Sequence, residues 1–199
     1  MFEIAEYIGI IAFAMSGFFV GTRNHLDLLG VLIATFLTAL GGGIMRDITV
    51  NKIPFTFSHD YPAIIVTSVM IILIVFKFHR RNSIENKALF ILSDSIGLIS
   101  FSISGALIGI ESGLNMAGVI AMAFLTAVGG GIARDVIINE VPFVLKTGFY
   151  GTIAILLGAI LYILDEFYTI SFWAITLLFF IFLSIRIIAY YKKWAIPLR

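Results

Sequence analysis

At 199 residues, with 60% hydrophobic and 13% charged side chains and a net charge of +1, the chain lies far from the soluble norm of about 25% charged residues. Its mean hydropathy of +1.08 and runs of roughly 20 apolar residues, long enough to cross a bilayer, mark an integral membrane protein. The near-neutral balance gives no reason to expect a nucleic-acid partner, and the lack of cysteine excludes thiolate chemistry, disulfides and cysteine metal sites.

Seven helical spans fit the apolar pattern: Ile4–Thr22, Leu28–Val50, Tyr61–Phe78, Leu89–Ile110, Leu114–Ile138, Gly148–Leu164 and Ser171–Tyr190. The N-terminus carries Glu3 and Glu6 in place of a basic region, so it reads as a first span and not as a cleaved signal. The link between spans three and four holds Lys77, Arg80, Arg81 and Lys87, and the C-terminal tail adds Lys192, Lys193 and Arg199. Glu3, Glu6, Glu111, Asp165 and Glu166 fall on the opposite side, with Lys52 as the main exception. The positive-inside rule then places the N-terminus outside and the C-terminus in the cytoplasm of a prokaryotic plasma (inner) membrane.

Residues Phe36–Phe55, FLTALGGGIMRDITVNKIPF, recur without a gap as Phe124–Phe143, FLTAVGGGIARDVIINEVPF, with thirteen of twenty positions identical. The register also holds upstream, where Gly9, Phe13, Ser16, Gly17 and Gly21 match Gly97, Phe101, Ser104, Gly105 and Gly109. Self-similarity on this scale means two copies of one structural unit. The expected organisation is a first three-helix repeat over 1–87, a second over 88–168, and a seventh helix with a cytoplasmic tail over 169–199. Three spans is an odd number, so the copies must be inverted about an axis in the membrane plane, a common transporter architecture with its working site near the midplane.

Spans one and four carry small residues four apart, ending in GFFVG and GALIG, which lets helix backbones approach closely in lipid. Ser93, Ser100 and Ser104 share a face of span four; it reads either as tight packing or as a polar, water-accessible wall. Three successive glycines inside an apolar span, Gly41–Gly43 and Gly129–Gly131, cost about 1 kcal/mol each relative to alanine. They are read as a helix break whose freed carbonyls suit a cation, or as a notch where another helix crosses. Thr38 and Thr126, a turn earlier, present hydroxyls to water or back-bond within the helix; with Ser16 and Ser104 they are candidate pore residues.

Arg46-Asp47 and Arg134-Asp135 follow the glycines, and charges this close to hydrocarbon are usually functional or paired. Adjacent helical residues do not face each other, so the expected pairing is crossed between repeats, or made to freed backbone groups. The role is that of a structural lock or of a gate. Pro54 and Pro142 read as helix terminators, and Glu6 and Asp94, at equivalent positions, as interfacial. His25, His59 and His79 show no ligand spacing, so no metal is assigned. No catalytic residue is assigned either, because no nucleophile stands beside the Arg-Asp pairs, and the chain does not read as an enzyme.

At its doubled GGGxxRDxxxxxxPF motif the sequence resembles the prokaryotic branch of the trimeric intracellular cation channel family, with relatives also grouped under a glycine-transporter-like (UPF0126) domain. The resemblance covers both repeats and the seventh span. It implies an all-α membrane protein of seven transmembrane helices, kinked in the second and fifth at the glycines. It further implies a homotrimer in the lipid bilayer with one pore per subunit, conducting monovalent cations (K+, Na+) without a cofactor. By that resemblance Arg46, Asp47, Arg134 and Asp135 belong to the polar network near a closed gate. Animal members carry a Lys-Glu-Val variation near the glycines, absent here, so their voltage and calcium regulation is not carried over. The rival expectation is a secondary transporter of a small solute such as glycine.

Overall fold

A computed structural model describes residues 2–78, 83–146, 148–168 and 170–194; His79, Arg80, Arg81 and Arg199, used above, lie outside them. The described residues form nine helices and no strand: α1 (Phe2–Arg23), α2 (Leu28–Thr49), α3 (Phe55–Ser58), α4 (Tyr61–Val75), α5 (Ser83–Glu111), α6 (Met116–Ile137), α7 (Phe143–Lys146), α8 (Gly151–Phe167) and α9 (Phe172–Tyr191). Five of them, α1, α2, α5, α6 and α9, are long and apolar enough to cross a membrane. The third helix of each repeat unit is shorter, with 15 residues in α4 and 17 in α8. At 1.5 Å per residue they span about 23–26 Å against a hydrocarbon core of about 30 Å, and each is preceded by a four-residue helix, α3 or α7.

The repeat is visible in the helix caps. Asp27 accepts the Gly30 amide at 2.7 Å to open α2, and its counterpart Asn115 accepts Gly118 at 2.9 Å to open α6. An Asx side chain at this position satisfies an amide that the helix itself leaves unpaired. At the other end, Asn51 and Asn139 take φ of 57° and 60°, and the Lys52 and Glu140 amides reach back to the Asp47 and Asp135 carbonyls at 2.9 and 2.8 Å. This left-handed closure ends α2 and α6. The expectation that Pro54 and Pro142 terminate them is therefore corrected, since both helices stop before the prolines. Pro54 instead sits at the N-cap of α3. The basic link after α4 is also shorter than expected, because α5 begins at Ser83 and Lys87 is helical.

The core is a four-helix arrangement in which α1 packs on α5 and α2, α6 on α5 and α2, with α4 and α8 flanking. Inversion of the repeats is written in the contact register. Gly9 faces the Phe101 ring and Gly97 faces the Phe13 ring, so α1 and α5 run antiparallel and each glycine receives the other repeat's phenylalanine. The two rings meet edge to face at 5.1 Å between centroids, a geometry their quadrupoles favour. The GxxxG glycines pack within a repeat. Gly17 and Gly21 lie against Ala34, Thr35 and Val31 of α2, while Gly105 and Gly109 lie against Met122 and Val119 of α6. Arg186 is the one buried charge of α9.

Candidate functional site: two buried charge clusters

The glycine triplets do not break their helices, because α2 runs uninterrupted from Leu28 to Thr49 and α6 from Met116 to Ile137. The expected unwound turns are corrected to a backbone crossing. A Cβ on Gly41 would sit 3.2 Å from the Gly130 Cα, one on Gly130 would lie 2.6 Å from the carbonyl oxygens of both Leu37 and Thr38, and one on Gly42 would collide with the Thr126 carbonyl. The third glycines are less confined: a Cβ on Gly43 meets the Glu6 carboxylate at 3.2 Å, and one on Gly131 meets only Arg134, at 3.8 Å. Gly41, Gly42 and Gly130 let two helix backbones touch, whereas a Cβ on Gly129 would meet the Met45 sulfur at 2.7 Å; the contacts are those of the notch reading. Thr38 and Thr126 back-bond to the Ala34 and Met122 carbonyls at 2.6 and 2.7 Å, the commoner fate of a helical threonine.

The first cluster gathers where α1 begins and α2 ends. The Arg46 Nε donates to Asp47 Oδ1 at 2.7 Å, and its Nη1 donates to Glu6 Oε2 and to Ser104 Oγ, each at 2.6 Å. Ser104 in turn donates to the same Glu6 oxygen at 2.6 Å. The second cluster lies at the opposite end of the core. Arg134 donates from Nε and Nη2 to Asp135 Oδ1 at 2.8 and 2.7 Å, and from Nη1 to Thr38 Oγ1 at 3.4 Å. Ser16 donates to Asp94 Oδ1 at 3.1 Å. All of these charged groups are buried.

The crossed Arg-Asp pairing is corrected, since each arginine bonds the aspartate that follows it. Adjacent residues diverge around a helix, but the arginine stem is long enough to curl back, and the aspartate is held to meet it. Asp47 Oδ2 accepts the Phe55 amide at 2.8 Å and Asp135 Oδ2 accepts the Phe143 amide at 2.7 Å. The carboxylate thus ties the end of a long helix to the start of the next short one, which accounts for the shared spacing from Asp to Pro-Phe. What does cross between repeats are the serine-carboxylate bonds, Ser104 to Glu6 and Ser16 to Asp94, and the arginine-hydroxyl bonds, Arg46 to Ser104 and Arg134 to Thr38.

Glu6 and Asp94 are corrected from interfacial to buried, at 3% exposure each. Their equivalence under the repeat was the signal, because a carboxylate kept in both copies of an apolar helix asks for a partner. Asp94 is one methylene shorter than Glu6. It lies within electrostatic reach of Arg134 and of Arg186, a residue of α9 that sequence reading passed over. A lone arginine in an apolar twenty-residue helix was itself a usable signal. Arg186 is 1% exposed and stacks over the Tyr150 and Tyr190 rings at 4.7 and 5.9 Å. With carboxylates ionised, the first cluster sums to one negative charge (Arg46 against Asp47 and Glu6). The second is neutral (Arg134 and Arg186 against Asp135 and Asp94). Lys52, the exception to the charge asymmetry, is offset by Glu111 at 3.2 Å.

Comparison with known proteins agrees with this architecture. The sequence profile of the family described as Glycine transporter matches residues 3–80 and again 91–166, one match per repeat. The UPF0126 membrane protein YvgT of Bacillus subtilis is 35% identical over 197 residues, spanning 99% of this chain and 96% of that protein. A UPF0126 membrane protein of Deinococcus radiodurans is 42% identical over 151 residues, 75% of this chain and 69% of its own. Among solved structures, a prokaryotic TRIC channel crystallised in 0.5 M KCl superposes with a TM-score of 0.87 at 30% identity, over 96% of both chains. The TRIC orthologue from Rhodobacter sphaeroides superposes with the same score at 26% identity, over 97% of this chain and 98% of that one. The chain is thus a membrane protein of the glycine-transporter (UPF0126) family and a prokaryotic member of the trimeric intracellular cation (TRIC) channel family.

Proposed function

We propose that the protein is a cation channel permeable to K+ and Na+, assembled as a homotrimer with one pore in each subunit. Seven helices cross a prokaryotic plasma membrane in this reading, with the N-terminus outside and the C-terminus cytoplasmic. The repeats 1–87 and 88–168 form the two bundles flanking the pore, and 169–199 adds the last span. The route runs along α1, α2, α5 and α6, past Ser16, Ser104, Thr38 and Thr126.

The observation that carries the reading is the pair of buried ionic clusters capping opposite ends of one antiparallel core. Burying charge is costly, and replacing such groups by apolar ones often stabilises a protein, so duplicated intramembrane charge points to transport. In the present arrangement the α2 and α6 backbones touch between the clusters, which is a closed state. Opening parts α2 from α6, with bending at Gly41–Gly43 and Gly129–Gly131 where glycine resists it least. Arg46, Asp47, Arg134 and Asp135 form the gate network. The negative balance of the Glu6 cluster draws cations to its end of the route.

Single-channel recording of the purified protein in a planar bilayer under a KCl gradient tests this. Discrete cation-selective steps, altered in Gly42→Ala and Gly130→Ala, support the channel. A silent bilayer together with saturable uptake of labelled glycine into liposomes would favour a secondary transporter. That second reading draws on the family description, and on gates at both ends of an inverted repeat, which suit alternating access equally well.

A further inference from the structure

A cavity of about 210 Å³ lies at the second cluster, between the end of α1, the start of α5 and the end of α6. The buried Arg134 and Asp135 line it together with the exposed Arg23, Glu140 and Lys146. The repeat puts an equivalent place at the other end of the core, and there the charges are exchanged. In the register that maps Phe36 onto Phe124, Arg23 is the counterpart of Glu111, and Glu140 that of Lys52. Lys52 and Glu111 bond each other across the repeats at 3.2 Å and cancel. At the second end Glu140 instead accepts from Lys146 at 2.9 Å, within its own repeat. Lys146 stands where the first repeat has the neutral Ser58. Arg23 lies over the Phe90 ring at 5.8 Å, and among the described residues no carboxylate forms an ion pair with it. The cavity lining therefore sums to one positive charge (Arg23, Arg134 and Lys146 against Asp135 and Glu140), whereas the first end keeps the one negative charge of the Glu6 cluster. Farther out, the exposed Glu3 and Asp60 flank the first end and the exposed Lys87 and Lys193 the second, in the same sense.

We propose that this cavity is the second mouth of the cation route, and that Arg23 and Lys146 make it the poorer entrance, so that cations pass more readily from the first end to the second. The inference rests on the channel reading and adds a direction to it. Fixed charge at a mouth sets the local concentration of the permeant ion. A unit charge about 10 Å from the path changes that concentration about 1.7-fold at about 10 mM salt, and by only about 2% at 1 M, where the Debye length is about 3 Å. A difference of two charges between the ends then gives a ratio of forward to reverse current of about 2.7 in dilute KCl and about 1 in concentrated KCl.

The sequence holds no cysteine, so Lys146→Cys places a single thiol at the mouth. Single channels are recorded in bilayers of uncharged phosphatidylcholine in symmetrical, dilute KCl, and currents at equal and opposite voltages are compared. A membrane-impermeant cationic methanethiosulfonate reagent, added to one chamber, restores the lost charge; an anionic one puts a negative charge in its place. The current ratio is expected to fall about 1.7-fold in Lys146→Cys, to return with the cationic reagent, and to fall again by the same factor with the anionic one. Both reagents act only from the chamber that cations enter less readily. Arg23→Gln shows the same first fall, and every difference vanishes in concentrated KCl. Equal currents in both directions, or a ratio indifferent to the charge at position 146, overturn the inference while the channel stands. Absence of unitary currents from the unmodified protein overturns the channel reading, and this inference with it.

Discussion

Replacing Gly130 with alanine adds one methyl carbon 2.6 Å from two backbone carbonyl oxygens, those of Leu37 and Thr38. Ordinary contact begins near 3.4 Å, so α2 and α6 must separate by roughly 0.8 Å, and neither oxygen can rotate aside as a side chain would. Overpacking of this kind costs about 1–3 kcal/mol, offset by about 1 kcal/mol of helix propensity gained on replacing glycine. The net expectation is a loss of up to about 2 kcal/mol, read as a lower thermal midpoint of the purified protein by intrinsic fluorescence. Gly42→Ala, which collides with the Thr126 carbonyl, should lose more. Gly131→Ala is the control: its nearest atom is the Arg134 guanidinium at 3.8 Å, so the propensity gain should leave stability unchanged or raised. A Gly131→Ala protein destabilised as much as Gly130→Ala would refute the crossing argument, because the triplet would then act as a unit and not by position.

Glu6→Gln removes a carboxylate that Arg46 and Ser104 both bond; Arg46 keeps Asp47 at 2.7 Å, so the loss is that of buried bonds and not of charge balance, about 1–3 kcal/mol, and denaturation in mild detergent should show it. Asp94→Asn, whose carboxylate accepts from Ser16 at a longer 3.1 Å and lies beside Tyr150, should cost less in the same assay. Arg46→Asp should gain nothing from a second change, Asp135→Arg, since the pairing is not crossed; recovery of expression or stability in the double variant would restore the crossed scheme. Phe101→Ala should lose about 3–5 kcal/mol. Combined with Gly9→Ala, whose added methyl the same ring blocks, it should cost less than the sum, a coupling that a double-mutant cycle measures. Lys52→Ala removes only an exposed bridge, and its effect should stay within about 1 kcal/mol.

Much of the architecture was legible in the chain. Hydropathy marked the membrane class and the repeat marked the symmetry, because those properties are set by composition and recurrence alone; the inverted arrangement expected of the two copies agrees with the antiparallel approach of α1 and α5. The expected start of the second span at Leu28 is kept, whereas the fifth begins at Met116 and not at Leu114. Which alternative a residue takes was decided only in three dimensions. A glycine triplet relieves steric demand, and sequence cannot say whether the freed space goes to an unwound turn or to a neighbour's backbone; the approach of α6 to Gly41 and Gly42 settles it. Adjacency in sequence argued against Arg46 meeting Asp47, until the Phe55 amide was seen to hold the carboxylate in place. Glu6 and Asp94 looked peripheral because their partners come from helices 40 to 98 residues away. Local pattern determines which elements form and how they repeat; only packing of distant helices determines which buried charges meet, because that energy resides in no single element.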